Sequence, residues 1–98
     1  MLEQKTTVIF DKWLDSLEPH IRAKITVFIK RVLNGNTSNC ESVGEGVYEI
    51  KINYQKGYRA YYTVINRQTV LLLLCGGNKK GQSKDIALAK EIKRRIAK

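Results

Sequence analysis

Three β-type segments separated by short turns occupy the centre of the chain and restrict its fold more than any other feature. In GVYEIKINY, the residues Tyr48, Ile50 and Ile52 alternate with polar ones, which is the two-residue period of a strand. The segments YRAYYTVI and TVLLLLC follow after short turns at residues 55–57 and 66–68. Because such turns join strands that run in opposite directions, the pattern predicts an antiparallel meander.

Helical patterns precede the meander. Residues 5–10 are predicted to form a short first strand, Asp11 to cap a short helix, and Pro19 to begin a second helix. The second helix carries apolar residues at spacings of three and four, and these form one stripe: Ile21, Ile25, Phe28, Ile29 and Val32. We therefore expect a helical hairpin with one buried side.

A polar loop is predicted at residues 37–45, and Ser83 is expected to cap a last helix. That helix has an apolar stripe of Ile86, Ala89, Ile92 and Ile96, and cations at its C-terminal end, namely Lys93, Arg94, Arg95 and Lys98. The predicted order is β-α-α-β-β-β-α. This is an α+β fold in which an N-terminal helical hairpin packs on a small antiparallel sheet with a C-terminal helix.

The length of the chain suits one small domain, and we expect residues 1–98 to form it. The longest apolar run, Val70–Cys75, is too short to cross a bilayer, and residues 1–5 lack the apolar core of a secretion signal, so a cytoplasmic location without membrane contact is predicted. Cys40 and Cys75 lack the spacing and the companion histidines of a zinc site. We expect reduced thiols, no metal and no cofactor.

Positive charge is concentrated in the second half of the chain. The net charge is +9, and residues 1–49 carry 6 Lys or Arg against 7 Asp or Glu, whereas residues 50–98 carry 12 against 2. Clustered cations attract polyanions, of which nucleic acids are the most abundant in the cytoplasm. The asymmetry therefore predicts contact with nucleic acid.

The stretch LLLLCGGNKKGQSKDIA, at residues 71–87, is close to a nucleotide-binding loop. The template G-x-x-x-x-G-K-[ST] needs a lysine where this chain has Gln82. The chain is also short for the parallel sheet and crossover helices of such a domain. We interpret the stretch instead as a loop that presents Lys79, Lys80 and Lys84 at the end of a strand.

The strand pattern places Lys51, Arg59 and Tyr61 on the face opposite the apolar one, and the last strand leads to the lysine loop. A sheet face with these groups offers phosphate contacts and an aromatic surface for a base, which suits single-stranded RNA. RNA carries its own nucleophile, the 2′-hydroxyl. His20 is the only histidine, so a two-histidine mechanism is excluded and Lys and Tyr remain as acid–base candidates.

The segments GVYEIKI, GYRAYY and LLLLCGGNKKGQSKDIALAK, with FDKWLDSL and NGN before them, resemble the RelE/ParE superfamily of toxin–antitoxin toxins, in particular its HigB-like "addiction module killer protein" branch. The resemblance spans nearly the whole chain. Its most specific part is an arginine in a Tyr-rich strand followed by G-G-[ND]-K-x-x-Q-x-x-D-I, which here is Gly76, Gly77, Asn78, Lys79, Gln82, Asp85 and Ile86.

This resemblance implies an mRNA endoribonuclease that acts at the ribosome and is silenced by a cognate antitoxin. Because the chain lacks the residues for a one-metal or two-metal site, we expect cleavage to run without metal on the RNA 2′-hydroxyl. Arg59 would stabilise the phosphate transition state, Lys79 would be the loop cation or acid–base group, and Tyr61 would stack or align the RNA. The expected RNA-binding residues are Lys51, Lys80, Gln82 and Lys84. Operator DNA would be contacted only through the antitoxin complex.

Two other functions remain open at this point. ParE relatives poison DNA gyrase by binding it and cut nothing, and a shared fold does not separate these activities. The retention of Arg59, Tyr61 and Lys79 favours the nuclease. The third function is nucleic-acid binding without toxicity.

Overall fold

A five-stranded sheet with helices on both faces forms the structure, a computed structural model that describes residues 2–96. The elements in chain order are β1 (Glu3–Thr6), α1 (Val8–Asp15), α2 (Pro19–Leu33), β2 (Cys40–Gly44), β3 (Val47–Ile52), β4 (Tyr58–Ile65), β5 (Val70–Asn78), a short 3₁₀ helix (Lys79–Gly81) and α3 (Gln82–Ile96). Lys98, predicted to extend the basic end of α3, lies outside the described residues. No helix within residues 2–96 is long and apolar enough to cross a bilayer.

The strands lie side by side in the order β1-β5-β4-β3-β2. The predicted meander is confirmed, because β3, β4 and β5 pair antiparallel in sequence order. Two features differ from the prediction: β1 pairs parallel to β5, and β2 adds a fifth strand at the other edge. The α+β class and the C-terminal helix are as predicted.

The boundary between β1 and α1 lies earlier than predicted. Thr7, not Asp11, caps the helix: its hydroxyl oxygen accepts a hydrogen bond from the Phe10 N–H at 3.0 Å and its own O–H donates to the Leu74 carbonyl at 2.6 Å. Val8, Ile9 and Phe10, predicted to end a strand, therefore begin α1. The side-chain cap outweighs the β-propensity of these residues.

The predicted loop at residues 37–45 contains β2. Its partner is β3, with Cys40 opposite Ile50 and an irregularity between Ser42 and Gly44. Residues 44–46 all have positive φ, the backbone conformation that a tight hairpin turn requires. β2 is a short edge strand in which only Cys40 and Val43 are partly buried, so it lacks the two-residue alternation from which strands are predicted.

Both faces of the sheet are covered. The α1–α2 side holds the larger core, and the predicted stripe of α2 is buried there in full, together with Phe10 of α1 and with Ile50, Ile52, Tyr58, Ala60, Tyr62, Leu71 and Leu73 of the sheet. On the other face Ala89 and Ile92 of α3 pack on the sheet. They form a second cluster with Val47, Tyr61, Leu72, Leu74 and Cys75. The expectation of an open polar face is therefore wrong over most of the sheet.

Gly76 and Gly77 belong to β5, so the strand continues into the stretch that was interpreted as a loop. A Cβ atom on Gly76 would overlap the Trp13 ring, and one on Gly77 would overlap the Asp85 carboxylate. These two glycines let side chains from α1 and α3 lie directly against the strand backbone.

We expect Gly76→Ala to lower the free energy of unfolding by about 1–3 kcal/mol, because the added methyl group displaces Trp13 and with it the packing of α1. Urea titration followed by circular dichroism measures this. Gly81→Ala is the matched control, since its Cβ would lie 3.3 Å from the end of the Asp85 side chain and alanine suits a helical residue. Equal stability of the two variants would contradict this description of α1 packing.

Candidate functional site

An open, basic cleft lies where the turn between β3 and β4 meets the end of β5. It has a volume of about 500 Å³ and is lined by Lys56, Asn78, Lys79 and Lys80. The Lys79 N–H donates to the Gly57 carbonyl at 3.2 Å and joins the two segments. Three lysines from two segments thus line one cavity, which favours an anionic ligand.

Asn78 gives the lysine loop its shape. Its side-chain oxygen accepts hydrogen bonds from the backbone N–H groups of Lys80 at 3.0 Å and Gly81 at 3.3 Å. These bonds cap the 3₁₀ helix and satisfy N–H groups that a helix start leaves free. Lys79 and Lys80 are therefore held on a defined turn with their side chains exposed.

Arg59 lies beside this cleft, close to Lys79. A Cβ atom built on Gly57 would be 3.6 Å from the Lys79 Cβ and 3.7 Å from Arg59 Nη1, so that both residues border the space left by this glycine. The sequence prediction that Arg59 and Lys79 converge is supported by this geometry. Arg59 is only 7% exposed, however, and Nη1 donates to the Tyr58 carbonyl at 3.0 Å.

Glu49 is the anionic partner of Arg59 and is itself 1% exposed. Its Oε1 lies 3.9 Å from Arg59 Nε, and its Oε2 accepts a hydrogen bond from Gln82 Nε2 at 2.7 Å. Gln82, predicted to contact RNA, therefore connects the first turn of α3 to the sheet. A buried carboxylate of this kind requires such partners, and here they fix Arg59 and α3 relative to β3.

Tyr61 does not face solvent as predicted. It is fully buried beneath α3, and burial, followed by the charge of nearby Glu49, raises the pKa of its phenol. Its hydroxyl has no hydrogen-bond partner among residues 2–96. The residue lies on the predicted face of β4, but α3 covers that face, so Tyr61 cannot stack on RNA in this structure.

Two further predicted residues, Lys51 and Lys84, are not among the residues that line the cleft. Lys51 is directly opposite Arg59 in the β3–β4 register, and its ammonium group contacts the Glu41 carboxylate at 2.6 Å, which lowers the pKa of Glu41. Solvated pairs of this kind are weak, so Lys51 remains available to a phosphate. Lys84 is exposed in the first turn of α3.

His20 is part of an exposed cluster at the start of α2. Its ring nitrogens contact the Glu18 carboxylate at 2.6 Å and the Tyr54 hydroxyl at 3.1 Å. None of the residues that line the basic cleft is part of this cluster. Within residues 2–96 no group of three His, Cys, Asp or Glu side chains is arranged to hold a metal ion.

Sequence reasoning missed three residues that border this region. Lys56, Trp13 and Tyr58 were not predicted as site residues, yet all three line a second cavity of about 360 Å³ beside the basic cleft. A signal for Lys56 was present, since a cation in a hairpin turn next to a strand arginine is brought close to the end of the neighbouring strand. Trp13 gave no such signal, because its position among the apolar residues of the segment FDKWLDSL is that of a core residue on a helix.

Comparison with known proteins now places the chain. Residues 12–97 match the family described as "Phage derived protein Gp49-like (DUF891)". The chain belongs to the Gp49-like family. This Gp49-like chain is also 44% identical over 91 residues to a Haemophilus influenzae protein described as uncharacterized, a match that covers 91% of this chain and 90% of that protein.

Solved structures similar to the Gp49-like chain come from RelE toxins. An arginine-to-alanine double mutant of the E. coli toxin RelE in the free state matches with a TM-score of 0.74 at 21% identity and covers 97% of both chains. The intact E. coli RelBE toxin–antitoxin complex matches with a TM-score of 0.68 at 21% identity, over 80% of this chain and 96% of that one. These matches confirm the predicted RelE-like fold.

We expect Glu49→Gln to destabilise the Gp49-like protein by about 3 kcal/mol, because it leaves the buried Arg59 guanidinium without its charge partner. Thermal and urea unfolding measure the loss. Glu41→Gln is the control, since Glu41 lies directly opposite Glu49 in the β2–β3 register but pairs with Lys51 in solvent. A Glu49→Gln variant as stable as Glu41→Gln would show that the buried pair does not hold the site together.

Proposed function

We propose that this Gp49-like protein is the toxin of a toxin–antitoxin module and that it cuts mRNA. The main observation behind the proposal is that Arg59 and Lys79 both lie beside Gly57. Lys79 also lines the basic cleft, together with Lys56 and Lys80. The RelE fold supports the toxin role, because relatives with this fold are named as toxins and are solved with antitoxins.

The cleft suits the phosphate that undergoes cleavage. Lys56, Lys79 and Lys80 would hold the RNA backbone, and Arg59 would approach the same phosphate through the space above Gly57. Charge develops on the non-bridging oxygens as the nucleophile adds. Cations fixed before the reaction stabilise that charge without reorganising. Arg59 is held in this way by its hydrogen bond to the Tyr58 carbonyl, and the Glu49 carboxylate 3.9 Å from Nε balances its charge.

The nucleophile in this mechanism is the RNA 2′-hydroxyl. Its oxygen bonds to phosphorus while the bond from phosphorus to the 5′-oxygen breaks. The 2′-hydroxyl would lose a proton to a base, and the leaving 5′-oxygen would gain one from the exposed Lys79 ammonium group. The products are a 2′,3′-cyclic phosphate and a 5′-hydroxyl, and the chain's own cations stabilise the charge without a metal ion. Tyr61 has a structural role in this scheme, because α3 buries it.

The partners follow from the same proposal. A cognate antitoxin would silence the toxin, and mRNA would be the substrate. The basic cleft, with its volume of about 500 Å³, is small for holding an RNA strand in one register, so we propose that the ribosome positions the mRNA. Membership of the HigB-like branch is part of this proposal.

We expect induction of the protein alone in bacteria to stop growth and to cleave mRNA, whereas Lys79→Ala reduces cleavage at least 100-fold because the site loses a preorganised cation. Growth curves and mapping of new RNA 5′ ends measure both effects. Lys30→Ala, which removes an exposed lysine from α2, should cleave like the wild type. DNA breaks trapped on gyrase without RNA cleavage would instead indicate the ParE-like activity.

The chemistry is tested separately with ribosomes programmed with a defined mRNA. Replacing the ribose by 2′-deoxyribose at the cleaved position should abolish cutting there, because the nucleophile is gone. A chelator of catalytic metal ions, added after ribosomes are stabilised with polyamine, should leave the rate unchanged. Mass spectrometry should find a 2′,3′-cyclic phosphate or 3′-phosphate. A 5′-phosphate product would refute the proposed mechanism.

A further inference from the structure

The second cavity lies at the outer edge of β5, next to the basic cleft. It has a volume of about 360 Å³, and Lys56 and Asn78 line both cavities. Trp13 and Asp85 line only the second one. A ligand with its phosphate in the basic cleft could therefore extend directly between Trp13 and Asp85.

The backbone of β5 is open at this cavity. On its outer side β5 pairs with β1 only as far as Leu73, and within residues 2–96 no strand lies on that side of residues 75–78. Gly76 and Gly77 carry no side chain there, and Trp13 and Asp85 lie against them from opposite faces of the sheet. The result is a slot with an aromatic wall, a carboxylate wall and a backbone floor.

The Asp85 carboxylate provides the specificity of this slot. It is half-buried, and among residues 2–96 no group donates a hydrogen bond to it. Burial raises the pKa of Asp85, as expected for a carboxylate that lacks a full set of donors. Asp85 thus lines the cavity with acceptor capacity that a ligand can fill by supplying the missing donors.

Guanine is the nucleobase that fits these acceptors. Its Watson–Crick edge carries two adjacent donors, the N1–H and the N2 amino group, which match the two oxygens of a carboxylate. Adenine and cytosine present one donor beside an acceptor, and uracil presents one donor between two acceptors. A carboxylate therefore repels part of the edge of each of these three bases.

We propose that the cavity between Trp13 and Asp85 binds a guanine base of single-stranded RNA, next to the phosphate held by Lys56, Lys79 and Lys80; this rests on the proposed function. The base contacts the Trp13 indole and donates to Asp85. Asp85 is then the residue that selects the base beside the cleaved bond, and it takes no part in bond cleavage.

The chain offers a direct probe, because Trp13 is its only tryptophan. We expect 2′-O-methyl RNA trinucleotides, which cannot be cleaved, to quench Trp13 fluorescence when guanine is the central base. Central adenine, cytosine or uracil should bind about tenfold more weakly. Hypoxanthine, which lacks the 2-amino group, should also bind more weakly than guanine.

Asp85→Asn tests the carboxylate, and Glu3→Gln is its matched control, since Glu3 is an exposed acid near the opposite end of β5. We expect Asp85→Asn to lose the guanine preference while Glu3→Gln keeps it, with circular dichroism confirming that both variants fold. Equal quenching by all four bases, or a preference that survives in Asp85→Asn, would overturn the guanine site. Guanine preference without RNA cleavage in cells would support this site and refute the proposed function.

Discussion

The buried pair of Arg59 and Glu49 is the interaction on which the rest of the site depends. Glu49 on β3 contacts Arg59 on the neighbouring strand and accepts a hydrogen bond from Gln82 at the start of α3. One carboxylate thereby joins two strands and a helix, and it holds the guanidinium group beside the turn at Gly57. A buried ion pair seldom adds much stability compared with apolar packing, but losing one partner is costly, so its value here is that it fixes positions. A cation that is already fixed is what stabilisation of a charged transition state requires.

The covering of the sheet by α3 decides which residues can act on a ligand. Tyr61 and Cys75 are on the same side of the sheet as Arg59, but α3 buries both, and burial raises the pKa of the Cys75 thiol to about 12. The accessible groups lie at the edge of the sheet that precedes α3 in the chain. They are in the turn with Lys56, at the end of β5, and in the 3₁₀ helix with Lys79 and Lys80. The residues of the proposed site are therefore concentrated at one end of the sheet.

The sequence predicted the parts of the fold that rest on regular periodicity. The α2 stripe and the β3–β4–β5 meander are confirmed because strong alternation and short turns leave few other arrangements. The convergence of Arg59 with Lys79 follows from strand adjacency alone. The errors arose where one local contact outweighs the pattern: the Thr7 cap, the hairpin turn before β3, and the glycines that admit Trp13 and Asp85. Tyr61 was wrongly predicted to be exposed, because the alternation of residues along β4 cannot show that α3 covers that face of the sheet.

The central claim is that Arg59 and the lysines of the basic cleft act on one RNA phosphate. A crystal structure of the protein bound to an uncleavable 2′-O-methyl RNA tests this most directly. We predict a phosphate within hydrogen-bond distance of Lys79 in the cleft, with an Arg59 guanidinium nitrogen contacting the same phosphate and Glu49 still beside it. An RNA strand bound elsewhere, or one whose phosphates contact the lysines while Arg59 keeps only its present contacts, would contradict the account.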